Sequence, residues 1–203
     1  MTITAHDFET EGLIDFTKRS HDPSHPHIVS MAIIKYADDG TQLSCRHVLA
    51  KPVNGSVSQP DAFKAHGITE AQREAEGIPE EHVISLWLMS MARATLRVAH
   101  NGSFDDRVAR IALTRYGFQR DVIEFIEKRP SFCTMNNSKA IVNLPPTERM
   151  VAKGINGPKP PNLAECVKHF FPDEAIEGLH GALADARYAG RIYFHLKSLG
   201  KAA

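Results

Sequence analysis

The first dozen residues constrain the fold more than any other stretch of the chain. Ile3-Thr4-Ala5-His6 opens apolar and β-prone, and Asp7 and Glu9 then stand two residues apart just ahead of Gly12. On a strand, residues i and i+2 point to the same face. Both carboxylates therefore project together from the end of what reads as a central strand. Like charges at that spacing raise each other's pKa unless something positive sits between them. A divalent cation is the economical resolution, and an oxygen-only ligand set favours Mg²⁺ or Mn²⁺ over zinc. The plain alternative is that Asp7 and Glu9 merely flank a turn. The choice rests on whether other element ends supply more carboxylates.

Composition narrows the classes. At 203 residues the chain suits one well-buried α/β domain, expected to span 1–203. Lys plus Arg equal Asp plus Glu at 24 each, so no general basic surface advertises tight duplex binding. A polyanion can still bind where metal ions carry the local positive charge. The three cysteines, Cys45, Cys133 and Cys166, are far apart and lack zinc-ligand spacing, which fits free thiols in a reducing compartment. No secretory signal is visible, and the apolar runs fall short of the roughly 20 residues that span a bilayer. A cytoplasmic protein with no membrane partner is the expectation.

Taken in order, Ile28 to Tyr36 reads as a second strand, Asp38-Asp39-Gly40 as a hairpin, and Gln42 to Ala50 as the returning strand. Pro60 to His66 reads as a short helix, and Thr69 with Gln72 as a capping box for another. Pro79 starts a longer helix whose Val83, Leu86, Trp87 and Met91 recur at helical spacing, a core stripe. Thr95 to His100 is a buried strand that runs directly into a helix from about Ser103 to Tyr116. Such a βα unit implies a parallel part of the sheet, and ligands gather at its C-terminal end. Ser131 to Thr134 reads as a last strand leading into a helix through Val142. Residues 143–161 read as a long irregular loop carrying Arg149, Lys153 and Lys159. Asn162 caps a helix through Phe170, and the final helix runs from Ala182 to Leu199.

Two further features supply carboxylates at element ends. His100-Asn101-Gly102-Ser103-Phe104-Asp105 places an acid in the first turn after a strand, with Asp106 adjacent and competing for the inward position. His180-Gly181-Ala182-Leu183-Ala184-Asp185 sets a loop histidine ahead of a helix whose first turn bears an acid. Each alone is an ordinary helix start, since acids favour helix N-termini.

The order D-x-E-T-x-G, H-N-x-x-F-D and H-x-A-x-x-D strongly resembles the DEDDh 3′–5′ exonucleases, the family of DnaQ-like proofreading subunits, RNase T and oligoribonucleases. His66-Gly67-Ile68-Thr69 looks like the family's H-G-I-T segment, Cys133-Thr134 like its next strand end, and Asn162-Leu163 like the start of its following helix. The likeness runs from Ile3 to Leu196. It implies an RNase H-like α/β fold, a mixed five-stranded sheet with an antiparallel start, parallel βα units and helices on both faces. It also implies that Asp7, Glu9, Asp105 and Asp185 hold two Mg²⁺ or Mn²⁺ ions, with His180 as general base. In relatives, the segment matching Thr10, Gly12 and Leu13 grips the terminal nucleotide; here Gly12 can equally be a turn glycine and Leu13 a core residue. His66 matches a position near the nucleotide and can equally cap its helix. Asn101 and Phe104 read as structural supports, with Phe104 in reach of a base. The loop 143–161 is expected to overhang the site, as a solvated loop or a phosphate-guiding flap. Asp106-Arg107 departs from the pattern by delaying the next apolar residue to Val108. A second metal cluster among His6, His21, His25 and His27 is the lesser reading beside scattered surface histidines.

The resemblance implies a metal-dependent hydrolase that trims single-stranded or frayed DNA 3′ ends to nucleoside 5′-monophosphates. RNA ends or short oligoribonucleotides are the alternative substrate, and a polymerase is a possible partner. A non-catalytic nucleic-acid-binding module of the same fold is signalled by a lost carboxylate or histidine, and none is missing.

Overall fold

The computed structural model describes residues 2–175 and 178–202. Five strands form one sheet: β1 (Ile3–Thr10), β2 (Ile28–Tyr36), β3 (Gln42–Leu49), β4 (Leu96–Ala99) and β5 (Ser131–Cys133), in the order β3-β2-β1-β4-β5. β1 is central. It pairs antiparallel with β2 and parallel with β4, so the mixed sheet expected from the sequence is present. At the β2–β3 hairpin, Gly40 takes φ 90° and its N–H donates to the Ala37 carbonyl at 3.1 Å. Positive φ is where glycine carries no steric penalty.

Helices cover both faces, which is why β2 is buried along almost its whole length rather than alternating. On one face α3 (Glu80–Arg93) and α4 (Gly102–Arg115) enclose Phe8, Met31, Ile33 and Trp87. Val83, Trp87 and Met91 of the expected stripe are buried, and Leu86 packs partly buried against the cluster. On the other face α9 (Ala182–Ser198) lies on Ile3, Ala5, Ala32, Ile34 and Val98. The first half of its inward side is small, with Ala182, Ala186, Ala189 and Gly190 buried, and Ile192, Tyr193 and Leu196 follow. A Cβ at Gly190 would come within 2.8 Å of the Tyr36 ring, so glycine sets how closely this helix approaches β2. The helix α8 (Leu163–Phe170) closes a third cluster against Ile192 and Leu196.

The predicted capping box forms, and the predicted Asn162 cap is reciprocal as well. Thr69 caps α2 (Glu70–Glu76) reciprocally with Gln72, and Asn162 caps α8 with Glu165. Helix α1 spans Pro60–His66, and α6 spans Thr134–Val142. Two helices are additional to the sequence reading. One is α5 (Arg120–Glu127), which buries only Ile126 fully and lacks a side-chain cap. The other is α7 (Glu148–Ala152), a short helix inside the expected irregular loop, where the Thr147 side chain accepts from Met150 N–H.

Two buried ion clusters lock the loops around β1 and β2. Glu80, at the start of α3, accepts from Ile28 N–H at 2.7 Å, from Tyr116 Oη–H at 2.7 Å and from Arg115 Nη1 at 3.0 Å, with His27 Nδ1 at 2.6 Å. Arg73 of α2 is wholly buried and donates to Glu11 Oε1 at 2.8 Å, to the Ala50 carbonyl at 2.9 Å and to the Ile28 carbonyl at 3.3 Å. Glu11 follows β1 directly, so Arg73 fixes the segment that leaves the central strand.

Candidate active site

Asp7 and Glu9 share one face of β1, opposite Ala32 and Ser30 of β2, and the ladder shifts register between Glu9 and Thr10. The pairing of β1 with β4 stops at Ala5, opposite Val98. Beyond that point Asp105 takes over: its Oδ1 accepts from Phe8 N–H at 3.1 Å. Asn101 turns the chain from β4 into α4 with φ 60°, a left-handed conformation that Asn tolerates better than most residues. Asp105 is 1% exposed, whereas Asp106 points the other way to Arg97 Nη1 at 2.5 Å. The competition between these two neighbours is thereby decided, and Arg107 is engaged by Ser20 Oγ at 2.8 Å. Asp185 comes from the first turn of α9, where its Oδ1 accepts from His180 N–H at 3.2 Å. His180 itself is exposed and takes φ 63° in the turn before α9.

One oxygen each from Asp7, Glu9 and Asp185 lies within 4.8 Å of the other two. Asp105 stands beside this trio and acts on it electrostatically. Burial, then Asp105, Asp185 and Glu9, push the Asp7 carboxyl well above its usual range. Burial and Asp185 push Glu9 up to about 8. Burial raises Asp185 to about 6, against the lowering pull of the His180 N–H and ring. Asp105 is raised by burial and by Asp106, with the Phe8 N–H pulling the other way. Among the described residues, no Lys or Arg forms an ion pair with any of the four. Crowded, half-desolvated carboxylates without a cationic partner are a donor set suited to a hard divalent cation.

The nucleotide-gripping candidates converge only in part. Thr10, Gly12, Leu13, His66 and Phe104 line a cleft of about 240 Å³ together with Glu9. Leu13 is 88% exposed, which excludes a core role, while Thr10 Oγ1 donates to the Gly12 carbonyl at 2.8 Å. His66 Nδ1 accepts from Ile68 N–H at 3.0 Å, and its buried Nε2 has no partner. Asn101 is outside that lining; its Oδ1 accepts from Ser103 Oγ at 3.3 Å. Gln59, Asp61, Ala62 and Ala65 also line the cleft and have no counterpart in the sequence reading. They sit about 50 positions beyond Gly12 and meet it only through folding, which leaves no local pattern to read.

In the loop 143–161, Lys159 Nζ is bound to Glu165 at 2.5 Å, while Arg149 and Lys153 are exposed. The N-terminal histidines do not cluster. His6 Nδ1 accepts from Trp87 Nε1–H at 3.3 Å, His25 Nε2 lies 2.9 Å from the Arg19 carbonyl, and His27 meets Glu80. Among the described residues, the carboxylate trio is the one group with metal-ligating geometry.

The family model RNase_T, described as Exonuclease, matches residues 4–193. Solved structures share the fold. E. coli exonuclease I in complex with a dA16 oligonucleotide is 20% identical with a TM-score of 0.72, covering 97% of this chain and 41% of that one. Its complex with a dT13 oligonucleotide is 19% identical with a TM-score of 0.74, at 97% and 41% coverage. A moderately thermophilic exonuclease I from Methylocaldum szegediense is 19% identical with a TM-score of 0.69, at 97% and 40%. The chain thus spans about two fifths of the length of these proteins. No curated protein matches the chain in sequence. A family match over nearly the whole chain, on a fold whose strand ends and helix starts gather the motif carboxylates, places this protein in the RNase T exonuclease family, of the DEDDh, DnaQ-like 3′–5′ type.

Proposed function

We propose that this protein hydrolyses single-stranded or frayed DNA from the 3′ end and releases nucleoside 5′-monophosphates. The observation that carries this reading is the convergence of Asp7, Glu9 and Asp185 within 4.8 Å, with Asp105 alongside, next to a cleft of about 240 Å³ that Glu9 also lines. Asp7, Glu9, Asp105 and Asp185 would hold two Mg²⁺ or Mn²⁺ ions. Such ions supply a water of lowered pKa and an electrophilic pull on phosphate oxygens. The chain's own residues do the rest. His180, in the turn bonded to Asp185, accepts the proton of the attacking water, a role an imidazole fills in general-base catalysis. Thr10, Gly12 and Leu13 hold the terminal nucleotide beside Glu9, in the cleft that Phe104 and His66 also line.

The substrate class follows from size and charge. A cleft of about 240 Å³ takes an unpaired end, since a paired one must first be unstacked. The balanced net charge offers no broad electrostatic hold on duplex. The exonuclease I structures with dA16 and dT13 favour DNA, and RNA ends remain the second substrate to test. Hydrolysis rates on matched single-stranded DNA, duplex DNA and RNA, with Mg²⁺ or Mn²⁺ and then with excess chelator, test the proposal. Single-stranded DNA should be cut fastest and the chelator should abolish cutting. Full activity in chelator would reject the metal-dependent reading, and faster cutting of RNA would reject the substrate.

A further inference from the structure

Gln59 stands immediately ahead of α1 in the N-cap position, at φ −60° and ψ 148°. Short oxygen-bearing side chains favour that position because they reach back to the first turn. The Gln59 side chain makes no such capping bond. Its backbone is used instead: the N–H donates to the Glu11 carbonyl at 2.7 Å, and the carbonyl accepts from Phe63 N–H at 2.9 Å. Glu11 is clamped in turn by buried Arg73. Gln59 is therefore anchored to the segment that leaves β1, by contacts that leave its side chain free.

That side chain lies across Gly12. A Cβ there would come within 2.5 Å of Gln59 Cδ and 2.7 Å of both Nε2 and Oε1. The glycine thus makes the room that the amide occupies, and the amide lines the same cleft as Glu9, Leu13 and Phe104. Thr10, the neighbouring hydroxyl, gives its proton to the Gly12 carbonyl. The Gln59 amide makes no hydrogen bond among the described residues, so its donors and its acceptor are uncommitted.

We propose that Gln59 is a specificity-determining residue of this site: its amide hydrogen-bonds an edge of the 3′-terminal base, seated between Leu13 and the wall formed by Ala62, Ala65 and Phe104. The assignment rests on the nuclease reading given above. A neutral group with both donors and an acceptor pairs with purine and pyrimidine edges alike, so it selects for the presence of a base rather than for one sequence. The apolar wall supplies the stacking surface.

The experiment compares the parent protein with Gln59→Ala on a single-stranded DNA oligonucleotide in Mg²⁺, and on the same oligonucleotide ending in an abasic nucleotide. Gln59→Ala should lower kcat/KM on the normal end by roughly three- to tenfold, chiefly through KM. On the abasic end the two proteins should be equal. Because Gln59 is exposed, the melting temperature should not change. Equal rates on the normal end would overturn the assignment. So would the same loss on both ends, which would trace the effect to the sugar-phosphate or to structure. A parent that cuts neither oligonucleotide defeats the nuclease reading and this assignment with it, an outcome distinct from an active parent indifferent to Gln59.

Discussion

At Asp7 the protein holds a carboxyl that burial and three neighbouring acids all push toward its neutral form. Removing that charge should relieve the folded, metal-free protein while disabling it. Asp7→Asn is expected to raise the melting temperature in chelator and to abolish hydrolysis; an active Asp7→Asn would remove Asp7 from the site. The pH dependence follows the same logic. Glu9 moves from an ordinary 4.5 to about 8, and Asp185 from 3.8 to about 6, so the folded metal-free state binds protons more tightly than the unfolded chain. The stability these groups contribute is complete below their unfolded values and is lost as pH rises through about 6 and then about 8. Thermal melts in chelator should therefore weaken from the unfolded values, 3.8 and 4.5, up to about pH 8, and Mg²⁺ or Mn²⁺ should restore the difference increasingly with pH. A gap between chelator and metal that stays constant across that range would contradict the coupling. His180 hydrogen-bonds Asp185 through its backbone N–H, and its ring acts on that carboxyl only electrostatically. Its side chain is free to serve the water, so His180→Ala should slow hydrolysis on the order of 10²–10⁴-fold with Mn²⁺ affinity largely kept. Loss of metal affinity together with rate would misplace the base.

Among the elements, those that carry the site are held by parts of the chain remote in sequence. Helix α2 contributes Arg73, which ties Glu11, Ile28 and Ala50 into one buried cluster. Arg73→Met removes one member of a buried ion pair and leaves Glu11 and two carbonyls without their donor. The expected loss is about 3–5 kcal/mol in urea unfolding at neutral pH. A change under about 1 kcal/mol would show that the cluster is replaceable by apolar packing. This is also where sequence reading reached its limit. β1, β2, β4 and α9 were legible because short apolar runs, or apolar residues at helical spacing, are bounded by glycines and turn residues. The Thr69–Gln72 capping box and the Asn162 cap were legible for the same reason, being contacts across three residues. Helix α5 was not: Val122, Ile123 and Ile126 recur at helical spacing, but the helix is short and no capping side chain marks its start. The same holds for the contact of Gln59 with Gly12 and for the choice of Asp105 over Asp106. The first depends on a loop returning to β1, and the second on Arg97 of β4 waiting for Asp106.

For the whole molecule, the central strand changes partners where chemistry is needed. β1 has β2 beside it to its end, while β4 drops away after Ala5 and leaves the Phe8 N–H to Asp105. Two helix starts, those of α4 and α9, then bring their acids to that gap. The overall charge balance keeps binding local, so affinity for nucleic acid should depend on divalent ions far more than on general basicity. That cation-holding role is the claim on which the rest stands, and anomalous diffraction from a crystal soaked in Mn²⁺ tests it most directly. The account predicts manganese peaks bounded by Asp7, Glu9, Asp105 and Asp185. A well-ordered crystal with no manganese among those four side chains would contradict it.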